Sequence, residues 1–197
     1  SGQIGNRPVL YWSFALNNQL ARHQVFGFHL INLALHIGVT LLIFFTIWHA
    51  GYLKNEYGWI FPLSTALLFS LHPLNTDSVS YISSRSSLLA TFFYLLTLYI
   101  FLNLFRPEKA IQLTKKMILY LLVLSGIYLS VASKLIGATL PFMLAIWYWG
   151  FIGHKQYPNV NKAVINNRSI AISFTLMTII SCAVLFSSLS TCPIKVT

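Results

Sequence analysis

With 197 residues, 56% of them hydrophobic and only 8% charged, and a mean hydropathy of +0.70, the chain lies far from soluble domains, which carry about a quarter charged residues. This composition excludes an ordinary soluble domain and points to a bilayer as the solvent. The formal charge of +10 does not indicate nucleic acid, because the Lys and Arg residues fall in short loops between apolar runs and not on one soluble face.

The sequence opens SGQIGNRPVL, with no Met, no basic leader and no cleavable apolar core. It is therefore expected to carry no signal peptide and to be processed or incomplete. Residues 1–24 are mixed and polar. Six apolar runs follow, at about 25–48, 59–71, 84–105, 117–132, 135–151 and 169–189, each read as a membrane span. They predict an all-α, polytopic transmembrane helix bundle forming one domain over residues 1–197. The first two spans are joined by GYLKNEYG, a loop with glycine at both ends. The second span is short, and HPLNTDSVSYISSRSS, residues 72–87, breaks the apolar pattern after it, with residues 83–87 as the entering turn of span three. Arg106-Pro107 ends span three, since proline fixes φ and lacks an N–H. Ser133-Lys134 is a tight polar connection before span five, where Pro141 is expected to kink the helix.

Six crossings place alternate loops on opposite sides. Lys54, Arg106, Lys109, Lys115, Lys116, Lys155, Lys162 and Arg168 fall on one side, and Arg7, Arg22, Arg85, Lys134 and Lys195 on the other. The positive-inside rule puts the first set in the cytoplasm and both chain ends outside. His72, Asp77, Arg85, Lys134 and Arg7 then share the extracytoplasmic side. Asp77 is the only acid there, and a carboxylate near hydrocarbon needs a cation or a metal. Arg85 is the expected partner. Either Asp77 is a base or metal ligand and Arg85 a phosphate clamp, or the two form a structural ion pair holding a re-entrant turn.

His29, Asn32 and His36 stack on one face of span one. They form either a substrate-facing stripe with His29 outermost or a set of interhelical hydrogen bonds. No metal site is expected, because no carboxylate lies near these histidines and Cys182 and Cys192 lack zinc-ligand spacing. The two cysteines read as small apolar residues, or as a disulfide on an oxidising face.

Four stretches, RPVLYWSFALNN, GFHLINLALH, LLFSLHPLNTDSVSYISSRSSLL and SKLIGATLPFML, occur in an order that resembles the GT-C glycosyltransferase region of the transmembrane and tetratricopeptide-repeat O-mannosyltransferases and their bacterial relatives. The resemblance covers roughly Arg7 to Trp149. It is most specific at His72, Pro73, Thr76, Asp77, Val79 and Arg85. It implies a partial GT-C-like membrane domain that takes a sugar from a polyprenyl-phosphate carrier, the donor substrate, and transfers it to a protein hydroxyl on the extracytoplasmic side. An acid would deprotonate the acceptor, with Asp77 as the catalytic candidate, while cations hold the departing phosphate. The binding candidates are Arg7, His29, His72, Arg85 and Lys134. The family's N-terminal acidic motif lies upstream of where this chain starts, its Ser-Lys-Glu signature reads Ser133-Lys134-Leu135 here, and no tetratricopeptide repeats follow. Two readings stand: part of such a transferase, or a degenerate non-catalytic subunit packing in a larger membrane complex. The expected partners are the lipid bilayer, a polyprenyl-phosphate lipid and other membrane subunits, with no nucleic acid.

Overall fold

The computed structural model describes residues 8–21, 25–50, 58–104 and 113–147. Among these, seven α-helices and three short 3₁₀ turns follow one another with no strand. The helices are α1 (Pro8–Ala21), α2 (Val25–Ala50), α3 (Ile60–Leu71), α4 (Thr76–Ser80), α5 (Arg85–Leu104), α6 (Leu113–Ser133) and α7 (Leu140–Trp147). The expected all-α class is what the chain adopts. Three of its helices, over Phe26–Ala50, Ile82–Leu104 and Thr114–Ser133, are long and apolar enough to cross a membrane, and Ile60–Leu71 and Leu135–Trp147 are shorter apolar segments.

Local chemistry sets the helix ends. α1 was not anticipated within the polar first 24 residues; it starts with Pro8 at its first position, where a fixed φ and a missing N–H cost nothing. α3 stops because His72 precedes Pro73 and is held extended at φ −65°, ψ 127°. Tyr81, also extended at φ −90°, ψ 122°, separates α4 from the next turn. Lys134 is extended as well (φ −158°, ψ 141°) and makes the tight connection after α6. The expected continuous fifth span differs. Residues Leu135–Thr139 form a 3₁₀ turn and α7 begins at Leu140, so Pro141 sits in a first helical turn and not at a mid-helix kink. The sixth expected span, with Cys182 and Cys192, lies outside the described residues.

Side-chain contacts fix how the helices run. Arg85 meets Asn32, Gly38 faces Phe92 and Phe45 meets Tyr99, so α2 and α5 are parallel neighbours in constant register. Lys134 meets Ser87, Ser130 meets Ala90 and Gly126 faces Thr97, so α6 is antiparallel to α5. Gly126 is required there: a Cβ would fall inside the contact radius of the Thr97 hydroxyl and 3.2 Å from Thr97 Cβ. Leu98 and Phe101 of α5, Val123, Ile127 and Val131 of α6, and Leu140 and Leu144 form the apolar core.

The surface follows the logic of a bilayer. On α2, Leu30, Leu33, Ile37 and Leu41 are exposed while Asn32, His36 and Thr46 are buried. An apolar outside and a polar inside are what lipid, not water, demands.

Candidate functional site

The segment from His72 to Ser84 is a chain of short turns tied back to itself. The His72 Nδ1 accepts the Leu74 N–H at 3.3 Å and caps the turn Pro73–Asn75. Asn75 donates its amide to the Phe69 carbonyl, and the Thr76 hydroxyl donates to the Pro73 carbonyl at 2.6 Å. Asp77 lies in the first turn of α4 with an exposed side chain.

The polar stripe of α2 serves this segment. The Asn32 amide donates to the Val79 and Tyr81 carbonyls at 3.4 and 3.3 Å, and the His29 Nδ1–H points at the Val79 carbonyl at 3.5 Å. His36 donates from Nε2 to the Ser70 carbonyl at 3.4 Å and stacks on Phe69. The Ser70 and Val79 carbonyls end short turns, with no following N–H of a continuing helix to satisfy them, whereas the Tyr81 carbonyl also accepts the Ser84 N–H at 3.1 Å. Interhelical hydrogen bonding, one of the two roles open to the stripe, is therefore the role these contacts show.

Arg85 is the largest fully buried side chain among the described residues, with no solvent exposure. Its Nε donates to Asn32 Oδ1 at 2.9 Å and its Nη2 to the Phe28 carbonyl at 2.8 Å. The guanidinium carbon lies 4.7 Å from the Phe14 ring centroid and 5.3 Å from that of Phe28. Its Nη1 is buried with no hydrogen-bond partner. The expected Asp77–Arg85 ion pair is absent: Asp77 stays exposed on α4, and the guanidinium turns the other way, toward α1 and α2. The physical reason is helical phase. Arg85 is the first residue of α5, and the face it leaves by is the one packed on α2.

Lys134 has a separate setting. Its Nζ donates to Ser87 Oγ at 2.8 Å, and Ser87 lies about 200° around α5 from Arg85 at 100° per residue. The two cations thus flank the start of α5 on different faces. Arg7 lies outside the described residues. Phe14, Phe28 and Ser87 were not anticipated as parts of the site. An aromatic pair at matching heights on α1 and α2 leaves no periodic signature, and Ser87 is one of six serines in the polar run of residues 72–87. Among the described residues, no three His, Cys, Asp or Glu side chains group together.

Comparison with known proteins gives matching sequences over about half of the chain. Protein O-mannosyl-transferase TMTC1 of Mus musculus is 36% identical over 90 residues, 46% of this chain and 9% of the relative. Protein O-mannosyl-transferase TMTC2 of Mus musculus is 36% identical over 92 residues, 47% of this chain and 10% of the relative. Protein O-mannosyl-transferase TMTC4 of Homo sapiens is 31% identical over 113 residues, 52% of this chain and 15% of the relative. The match thus covers 9 to 15% of the length of these curated relatives. No family model and no solved structure matches. The resemblance drawn from the four motifs is borne out: over about half of its length this membrane chain is similar to protein O-mannosyl-transferases.

Proposed function

We propose that the chain is part of a membrane glycosyltransferase that moves a sugar from a polyprenyl-phosphate carrier to a protein hydroxyl on the extracytoplasmic side. The observation that carries this reading is Arg85: a buried cation that, among the described residues, has no carboxylate partner and keeps one pair of N–H donors unbonded. It stands at the start of a 20-residue helix, where the macrodipole is also positive. Two positive features in one enclosed place favour an anion, and a guanidinium suits a phosphate.

In the reaction, the acceptor hydroxyl oxygen attacks the anomeric carbon of the sugar. The bond from that carbon to the carrier phosphate breaks, and its electron pair leaves on the phosphate. Arg85 Nη1 offsets the charge that develops there, and Lys134, on another face of α5, adds to the positive field on the departing phosphate. The hydroxyl proton passes to a carboxylate, for which Asp77, unpaired with Arg85, is the candidate. His29 and His72 support the polar segment by their hydrogen bonds, and Arg7 completes the cationic set. Basic loops in the cytoplasm and residues 72–87 outside follow from the loop charges.

The test is sugar transfer from a radiolabelled polyprenyl-phosphate sugar to a protein acceptor by the full-length protein in membranes. Transfer by the wild type and its loss in Arg85→Ala and Arg85→Met support the reading. Transfer at wild-type rate in both variants overturns the role of Arg85, and no transfer by the wild type overturns the activity.

A further inference from the structure

The short third helix sets a depth for the polar segment that the sequence alone hides. Trp48 near the end of α2 and Trp59 just before α3 are both exposed, and such aromatics mark a membrane interface. Measured from Trp48 at 1.5 Å per residue, a hydrocarbon layer of about 30 Å reaches its far boundary near Phe28. α3 starts beside Trp59 and has 12 residues, so it covers about 18 Å and stops about 12 Å short of that boundary. Side-chain contacts give the same figure independently. The end of α3 meets His36, through the Ser70 carbonyl and the Phe69 ring, whereas Arg85 meets Asn32 and Phe28. Phe28 lies about 12 Å farther along α2 than His36. The chain from Ser70 to Arg85 therefore climbs about 12 Å, where a continuous helix would climb about 22 Å.

Residues 72–84 thus lie inside the hydrocarbon depth and not on its surface. On the α2 side the segment is served by His29 and Asn32. His72, Thr76, Asp77 and Ser80 are exposed, beside the exposed apolar side chains of Leu71, Leu74 and Tyr81 that can face lipid. A carboxylate turned to lipid at that depth is costly, and broken backbone there is tolerated only inside protein or along water. We infer that His72, Thr76, Asp77 and Ser80 form a wall of a narrow water-filled recess. It opens at the end of the bundle where α2 begins, reaches about 12 Å into the bilayer, admits small hydrophilic groups, an acceptor side chain included, and excludes bulky free polymers. The recess depends on the membrane placement alone and stands or falls separately from sugar transfer.

Thiol accessibility tests it in the full-length protein, freed of its own cysteines and reconstituted so that reagents reach both faces. Thr76→Cys and Ser80→Cys are compared with Leu68→Cys, whose side chain is 73% exposed near the same depth on the lipid-facing side. The probes are a small charged methanethiosulfonate and a maleimide carried on a long polyethylene glycol chain. Because only a hydrated thiolate reacts, the small probe should modify the 76 and 80 variants at least about ten-fold faster than the 68 variant, and the polymer should modify none of them. Rates at 76 and 80 equal to that at 68 would mean lipid or protein covers the face, and rapid reaction with the polymer would place the segment at the surface. Either result overturns the recess.

Discussion

Arg85→Met separates a residue kept for a ligand from one kept for the fold. Methionine retains most of the length and apolar bulk of arginine and removes the charge. The losses are two hydrogen bonds, to Asn32 at 2.9 Å and to the Phe28 carbonyl at 2.8 Å, worth about 0.6 to 2 kcal/mol each between membrane helices. The stacking on Phe14 and Phe28 contributes about 0.5 to 2 kcal/mol as a cation–π contact, and a sulfur–aromatic contact of about 0.3 to 1.5 kcal/mol replaces much of it. Against these stand the unmade bond of Nη1, about 1 to 3 kcal/mol, and the burial of an ion with no counter-charge, several kcal/mol. The net expectation is a variant within about 1 kcal/mol of wild type, or more stable. Asn32→Leu does the reverse. It keeps the cation, removes its acceptor and strips the Val79 and Tyr81 carbonyls of a donor, for a loss of about 3 to 5 kcal/mol. Equilibrium unfolding in mixed micelles, followed by circular dichroism, measures both. If Arg85→Met loses as much stability as Asn32→Leu, the guanidinium is a keystone of the fold and its free N–H donors are no sign of a missing anion.

Gly126→Ala forces α6 off α5 at Thr97 and should cost about 1 to 3 kcal/mol; adding Thr97→Ala, which removes the obstructing hydroxyl and methyl, should recover at least half of that in the same unfolding measurement. Gly137→Ala should be at least as damaging and not rescued by Ser130→Ala, because its Cβ would lie 2.5 Å from the Ser130 carbonyl carbon and 2.6 Å from the Val131 nitrogen, and backbone cannot yield as a side chain can. Ser87→Ala removes the 2.8 Å acceptor of Lys134; the loss of one interhelical bond costs about 1 kcal/mol, and steady-state transfer assays should show a modestly lowered kcat, because Lys134 acts on the charge that develops on the departing phosphate.

The main helices were legible because their signals are local. The expected spans at 25–48, 59–71, 84–105 and 117–132 lie within a few residues of α2, α3, α5 and α6, since apolar runs, Pro73 and Lys134 set both the elements and their ends. α1 was missed because Asn17, Asn18 and Gln19 mask its periodicity, although Pro8 was a usable start signal. Within the fifth expected span the apolar run does not reveal that a 3₁₀ turn, Leu135–Thr139, precedes the α-helix, and its residues 148–151 lie outside the described residues. At the site, the stripe of His29, Asn32 and His36 follows from helical spacing, but its partners in residues 70–81 do not. Arg85 shows the limit most clearly. Asp77 is eight residues away in sequence, yet the true neighbours of Arg85 are Phe14, Phe28 and Asn32, which only the packing of three helices brings together.

Binding of the carrier head group to Arg85 can be measured directly, with polyprenyl phosphate titrated into the full-length protein in zwitterionic nanodiscs. Wild type should bind. Arg85→Met, folded by the unfolding criterion above, should lose at least about ten-fold in affinity, or about 1.4 kcal/mol. Arg85→Met binding polyprenyl phosphate as tightly as wild type would contradict the assignment of the buried guanidinium to the carrier phosphate.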